Sequence, residues 1–138
     1  MIPLGILFCY LSILFDNRPI EWVEFSKPEL SQYVLRENRA VMLFFTADWD
    51  VNSLVVEKRA ISTRRVKRFL RWNNIVPMKG DLTKLSPEVA REMKSIGRST
   101  TPAIAIYSHG SLSNPSIVDG MFNEDQLHKA LKESMHGR

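Results

Sequence analysis

The chain has 138 residues, a formal net charge of +4 and 44% hydrophobic residues, which is typical of one globular domain with its own core. Its single cysteine excludes an intrachain disulfide, a dithiol couple and a cysteine-based metal cluster within these residues. The mild excess of basic residues indicates weak attraction to anions and identifies no partner.

An uncharged apolar run, from Ile2 to Phe15, opens the chain and ends at Asp16. It is shorter than the roughly 20 apolar residues of a membrane-spanning helix, and it lacks the basic start and Ala-x-Ala site of a signal peptide. A short membrane anchor, an atypical export signal and a truncated span all fit it. A segment that packs on the domain or on a partner is the alternative. We therefore divide the chain into an N-terminal segment, residues 1–19, and a domain, residues 20–138, and expect membrane attachment or export.

The first half of the domain predicts a strand, a helix and a buried strand. Residues 21–25 alternate between polar and apolar, as in a half-buried strand. Ser26 is suited to cap a helix that has Pro28 in its first turn and ends near Asn38. The nearly continuous apolar run 40–45 is typical of a central strand covered on both faces.

Helices and strands also alternate in the second half. One helix is predicted from Asp50 to about Ala60, another after a cap at Ser62-Thr63, and a third after Ser86. Further strands are predicted over residues 75–78, 102–107 and 116–119, and a final helix from residues 123–125. The order β-α-β-α-β-α-β-β-α predicts an α/β fold with a central mixed sheet, since the early strands, separated by helices, imply parallel pairing and the final hairpin must be antiparallel.

Short motifs in this order resemble the thioredoxin fold. Thr-Ala-Asp-Trp, residues 46–49, follows the second strand, and Thr101-Pro102 precedes the fourth. More narrowly, the phrase Phe-Phe-Thr-Ala-Asp-Trp is similar to a motif in the C-terminal thioredoxin-like domain of DsbD-type thiol:disulfide interchange proteins. Residues 80–83 and 86–88 also fall in matching places. The resemblance covers roughly residues 20–135 and implies a thioredoxin-like three-layer sandwich around the sheet.

The resemblance also bears on location. In that family the domain follows a membrane-spanning portion, which implies that residues 1–19 are the remnant of a preceding span. It further implies a membrane-associated protein whose domain lies on the extracytoplasmic, periplasmic side, with a cytoplasmic location as the alternative.

Carried over by position, the two redox cysteines of that family fall on Asp50 and Ser53. Thiol–disulfide exchange needs a thiolate that attacks a disulfide sulfur, which neither side chain supplies. The family's protein-disulfide reductase activity is therefore not expected, and no catalytic residue is assigned. Asp50 is expected to cap the following helix, with a binding role as the alternative, and Ser53 to be a solvated hydroxyl.

A candidate peptide groove comprises Trp49, Asp50, Thr101 and Pro102. The resemblance implies that the Thr101-Pro102 bond is cis, that the proline faces the helix turn, and that the adjacent backbone pairs with an extended peptide. Trp49 would either line this groove or cover the end of the helix.

Basic residues cluster after residue 57, and no acid interrupts them up to residue 71. A solvated helix face is the expected role, and contact with an anionic membrane surface or an acidic partner is the alternative. Nucleic-acid binding is not expected, because no groove-reading motif accompanies the cluster. We define the basic patch as Arg64, Arg65, Lys67, Arg68 and Arg71.

The sequence contains no Gly-rich phosphate loop, metal-ligand cluster or paired catalytic carboxylates, so no cofactor or metal is expected. It predicts a non-catalytic thioredoxin-like domain, membrane-attached or exported, that binds a protein or an extended peptide. One alternative is a component of a DsbD-type thiol:disulfide interchange pathway that relies on cysteines of another chain. Another is a structural module whose basic helix contacts a membrane surface.

Overall fold

Five strands and six α-helices form the part of the chain that the computed structural model describes, residues 3–15 and 17–136. The strands are β1 (Val23–Glu24), β2 (Val41–Thr46), β3 (Val76–Asp81), β4 (Ala103–Tyr107) and β5 (Ser116–Asp119). The helices are α1 (Leu4–Phe15), α2 (Lys27–Ser31), α3 (Val51–Val56), α4 (Arg64–Trp72), α5 (Pro87–Ser95) and α6 (Glu124–His136). Single π-helical turns, Gln32–Arg36 and Glu57–Ile61, continue α2 and α3.

The strands form one mixed sheet in the order β1-β3-β2-β4-β5. β3 pairs in parallel with both β1 and β2, whereas β4 is antiparallel to both β2 and β5. Every residue of the central strand β2 is buried. The predicted α/β fold, its mixed sheet and the central position of the apolar strand are confirmed.

The two faces of the sheet carry separate hydrophobic cores. On one face, alternate residues of β2 and β4 pack with α3, α4 and α6, and on the other they pack with α2 and α5. Phe44 and Phe45 are both fully buried and belong to opposite cores, because successive side chains of a strand point to opposite faces. Helices on both sides of the sheet form the predicted three-layer sandwich.

Helix caps lie where the residue types predict them. The side chains of Ser26, Thr63 and Ser86 accept backbone N–H bonds in the first turns of α2, α4 and α5. Asn123 and Gln126 bond reciprocally, side chain to backbone N–H, at the start of α6. These caps satisfy helix donors that would otherwise lack an intrahelical partner.

The first strand is shorter than the predicted range 21–25. Only Val23 and Glu24 form the edge strand β1, in register with Met78 and Lys79 of β3. Trp22 instead packs its ring against Phe44, 5.8 Å between centroids, on the face occupied by α4 and α6. Val23 and Phe25 pack in the opposite core, so the predicted alternation of faces is observed, and the N–H of Phe25 bonds the carbonyl of Lys79 just after β1.

From Leu4 to Phe15 the apolar N-terminal run forms helix α1, which contacts α4, while Ile2 lies outside the described residues. The ring of Tyr10 meets that of Trp72 edge-on, 6.0 Å between centroids. Leu4, Ile6 and Phe8 are largely exposed. None of the described helices has the length and apolar content needed to cross a membrane.

Candidate functional site

Asp50 caps the N-terminus of α3, as its residue type predicted. It has extended backbone geometry, and its Oδ1 accepts the N–H of Asn52 at 3.1 Å. The backbone carbonyl of Asp50 accepts the N–H of Leu54 and so begins the helical hydrogen-bond pattern. The turn between β2 and α3 thus places a carboxylate at the positive end of the helix dipole.

The second oxygen of the same carboxylate joins α3 to the loop before β4. Oδ2 of Asp50 accepts the hydroxyl of Ser53 at 2.7 Å and the hydroxyl of Thr101 at 2.5 Å. The structure therefore brings together three of the predicted site residues, two of which are 51 positions apart in the chain. Pro102, another residue of the predicted groove, follows Thr101 directly in the chain.

The prediction that Ser53 is a solvated hydroxyl is wrong. Its side chain is fully buried, and its hydroxyl donates to Asp50. Ser53 lies three residues after the cap, on the side of α3 that faces the sheet, and burial is stable because the hydroxyl has an acceptor. Helical spacing in the first turn alone did not show which residue would face inward.

The environment of Asp50 acts on its pKa in two directions. Burial raises the pKa, while hydrogen bonds from Thr101, Ser53 and the backbone N–H groups of Asn52 and Ser53 lower it, and the net pKa lies below the usual value of an aspartate. The carboxylate is therefore ionised at neutral pH and is a poor general base. Neither His109 nor His128 contacts Asp50, since His109 contacts Asn38 and His128 contacts Arg65 in other parts of the fold.

The backbone beside Pro102 presents an open edge. The Thr101-Pro102 peptide bond is cis, and the Pro102 carbonyl accepts the N–H of Gly120. Within the described residues, neither the backbone N–H nor the carbonyl of Thr101 makes a hydrogen bond. Thr101 thus offers one donor and one acceptor for an extended segment.

Exposed apolar side chains surround the start of α3. Trp49 is 66% exposed, so it does not cover the helix end in a buried contact. Val51 and Leu54 are also exposed, and Met121 follows the glycine that bonds to Pro102. The sequence did not point to these three residues, because apolar positions of an amphipathic helix are expected to face the core, and only the structure shows Val51 and Leu54 exposed.

The basic patch is not one uniformly solvated face. Arg65 pairs with Asp125 at 2.6 Å and Glu124 at 3.6 Å and so links α4 to α6. Lys67 is buried and donates to Asn17. Position along the helix separates these roles, because residues 65 and 67 lie on different faces.

The other three members of the patch also differ from one another. Arg71 donates to the carbonyls of Arg18 and Pro19, so it holds the segment before the first strand against α4. Arg64 is exposed and Arg68 half-buried, and neither has an ion pair with a described residue. Only part of the patch therefore presents its charge to solvent.

The described residues contain no group of three or more His, Cys, Asp or Glu side chains placed to hold a metal ion. Cys9, the single thiol, is exposed on α1, far along the chain from Asp50 and Ser53. The site around Asp50 thus consists of a carboxylate, two hydroxyls, an open peptide edge and exposed apolar side chains.

Comparison with known proteins agrees with this architecture. A family model described as thioredoxin-like matches residues 22–108. No curated protein matches the sequence at a significant level.

Solved structures of thioredoxins share the fold at low sequence identity. A thioredoxin from Thermus thermophilus is similar with a TM-score of 0.66 and 15% identity, over 83% of this chain and 87% of that one. A mutant thioredoxin from Halobacterium salinarum has a TM-score of 0.59 and 18% identity, over 86% and 91% of the two chains.

The oxidised C-terminal domain of DsbD from Neisseria meningitidis is also similar, with a TM-score of 0.57 and 20% identity, over 78% of this chain and 88% of that one. At these identities the solved structures establish the fold alone. The family model spans more than half of the sequence, including β1 to β4 and the turn that carries Asp50. The chain therefore belongs to the thioredoxin-like family.

Proposed function

We propose that this domain binds an extended segment of a protein partner and performs no thiol–disulfide exchange at the start of α3. The observation that carries the proposal is the Asp50 carboxylate bonded to both Ser53 and Thr101. The resemblance places a dithiol at positions 50 and 53, and here those positions carry a carboxylate and a hydroxyl that bond to each other. A redox step there would need thiols that this chain does not have at these positions.

The open edge at Thr101 supports peptide binding. An added strand gains affinity from main-chain hydrogen bonds, and Thr101 offers an unused N–H and carbonyl among the described residues. The hydroxyl of Thr101 is held by Asp50, so the residue that would bond the peptide is already ordered. Order before binding reduces the entropy lost on association.

The apolar side chains near α3 would supply the selectivity. Trp49, Val51 and Leu54 are exposed although they are large and apolar, and clustered exposed apolar groups are common at interaction sites. Trp is enriched among the residues that dominate interface energetics. A partner segment with apolar residues at alternate positions fits this surface, because alternate side chains of an extended peptide face the same way.

The second candidate is a component of a DsbD-type thiol:disulfide interchange pathway that uses cysteines of another chain. The similarity to the DsbD C-terminal domain favours it, and so does the match of the Thr-Ala-Asp-Trp phrase. In this case the partner segment itself would contain the dithiol. A binding peptide that loses affinity when its cysteines are replaced by serine separates this candidate from redox-independent binding.

Membrane attachment through α1 is part of the same proposal. Helix α1 has exposed apolar side chains, and its Tyr10 pairs with Trp72 of α4. Apolar and aromatic side chains, together with a solvent-facing arginine such as Arg64, are typical of protein surfaces at a lipid interface.

Peptide display on the immobilised chain tests the proposal. Selected peptides are measured by calorimetry against Trp49→Ala, with Trp72→Ala as the matched control, since both tryptophans are exposed and only one adjoins Asp50. We expect Trp49→Ala to weaken binding about tenfold or more and Trp72→Ala to leave it unchanged. Equal effects of the two variants, or insulin-disulfide reduction that survives Cys9→Ser, would contradict the proposal.

A further inference from the structure

A cleft of about 470 Å³ lies beside β1, at the end of the sheet where β2 and β3 begin. Asp50 follows the other end of β2, so this cleft is separate from the site described above. Lys67 and Arg71 form one side of it, and they also bind the backbone of Asn17 and of Arg18 and Pro19, respectively. The cleft thus has a volume typical of small-molecule sites, and the segment 17–19 beside it is held against α4 by these two side chains.

Positive charge dominates the side chains that line the cleft. Its described lining contains a single carboxylate, that of Glu21. The cationic members of the lining are Arg18, Arg39, Lys67 and Arg71.

Lys67 is the most informative of these cations. It is only 7% exposed, and its ammonium donates to the backbone carbonyl of Asn17 at 3.2 Å and to the side-chain oxygen of Asn17 at 2.8 Å. Both acceptors are neutral, and an ammonium has three donors. No carboxylate of the described residues forms an ion pair with Lys67. Burial of a charge is costly unless an opposite charge compensates it, and an anion in the cleft would provide that charge.

Arg39 is a second cation held in a defined position. Its Nε donates to the carbonyl of Asn74 at 3.1 Å, and its guanidinium lies 5.4 Å from the centre of the Tyr33 ring. Its contact with the exposed carboxylate of Glu37 is long, at 3.8 Å. The guanidinium therefore retains donors for a ligand while its plane is already oriented.

The rest of the lining is largely apolar, and its half-buried members Ile20, Val23 and Pro77 offer side-chain surface to a ligand. A bare inorganic ion would leave this surface without a partner, whereas an organic anion would cover it. We propose that the cleft binds an organic phosphate, with the phosphate group at Lys67 and Arg39 and the apolar portion against Ile20 and Val23. A free phosphate ester and a phospholipid headgroup share this chemistry.

Two arms of one experiment, on the full chain, test the site and separate the two sources. Calorimetry with phenyl phosphate, and with inorganic phosphate for comparison, measures the soluble source. Sedimentation with phosphatidylcholine vesicles, with and without phosphatidylglycerol, measures the lipid source. The variants are Lys67→Met and Arg39→Gln, with Lys94→Met and Arg91→Gln as controls that remove the same charges from exposed positions on α5.

We expect saturable binding of phenyl phosphate, or a gain in vesicle binding from phosphatidylglycerol over phosphatidylcholine alone. Either signal should be weakened about tenfold by Lys67→Met and by Arg39→Gln and little changed by the controls. Dependence on Lys67 with phenyl phosphate assigns a free phosphate ester, and dependence only with phosphatidylglycerol vesicles assigns a lipid headgroup. If Lys67→Met fails to fold because Asn17 loses its donor, Arg39→Gln alone decides. If phenyl phosphate does not bind and phosphatidylglycerol adds nothing to vesicle binding, or if the control variants lose as much binding, the proposal is overturned.

Discussion

The carboxylate of Asp50 accepts the hydroxyl of Thr101 at 2.5 Å, which ties the start of α3 directly to the residue before the cis proline. The same oxygen accepts the buried hydroxyl of Ser53. One side chain therefore caps a helix, satisfies a buried donor and orders the loop that precedes β4.

Replacement of Asp50 by alanine is expected to destabilise the domain by about 2 to 3 kcal/mol. The variant loses the helix cap and leaves the buried hydroxyl of Ser53 without an acceptor. Urea denaturation measures the change, with Asp48→Ala as the control, since Asp48 is exposed and bonds through its backbone N–H. Equal stability of the two variants would show that the carboxylate does not hold the loop.

A pH dependence of stability is expected from His128. Burial, then the charges of Arg65 and Lys132, lower its pKa, against smaller opposing effects of Glu124 and Asp125. Arg65 contacts Nδ1 of the ring at 2.9 Å, and since a guanidinium only donates, this nitrogen accepts and the folded protein favours the neutral imidazole.

The sign follows from proton linkage. Below the unfolded-state pKa of about 6.5, the unfolded chain binds a proton that the folded chain does not, so stability falls as the pH decreases towards the folded-state pKa. Urea denaturation at about pH 7.5 and pH 5.5 should show this loss in the wild type and a smaller one in His128→Gln. His109→Gln serves as the control and should keep the wild-type difference. If the wild type were more stable at about pH 5.5 than at about pH 7.5, and His128→Gln removed that gain, the expected direction would be wrong.

The double substitution Asp50→Cys and Ser53→Cys should create a redox-active dithiol. The N-terminus of α3 is intact in the structure, and this position lowers the pKa of a thiol. Reduction of insulin by dithiothreitol should then be accelerated, while the single variant Asp50→Cys should remain inactive. If no disulfide forms between the two new thiols, the turn does not present these positions as the structure describes them.

Removal of residues 1–16 should convert salt-resistant membrane binding into salt-sensitive binding. This truncation keeps Asn17, Arg18 and Pro19, which Lys67 and Arg71 bind, so the domain should remain folded. The shortened chain should bind phosphatidylglycerol vesicles weakly and detach at about 1 M salt, because salt screens exposed charges.

The full chain should stay on the same vesicles in high salt, because burial of the apolar side chains of α1 is not screened. Vesicles of phosphatidylcholine alone serve as the control for the charge effect. A full chain that salt removes, or that never binds, would assign α1 to packing on α4 instead of membrane attachment.

Local sequence determined the elements and their caps. Strand β2 follows from a continuous apolar run, and each helix cap follows from one residue type just before a helix. The residues that predict each of these features lie within a few positions of one another, namely β2 and the caps Ser26, Asp50, Thr63 and Ser86. The order of these elements, together with the match of short motifs, was sufficient to predict the thioredoxin-like sheet.

Only the tertiary structure decided how distant residues meet. The bond from Thr101 to Asp50 spans 51 positions, and the bond from Lys67 to Asn17 spans 50. No local pattern encodes such contacts, because they depend on how helices pack on the sheet. The same holds for the burial of Ser53, for the different roles within the basic patch and for the cleft beside β1. Each depends on how the helices and the segment before β1 pack on the sheet, so none could be predicted from local sequence.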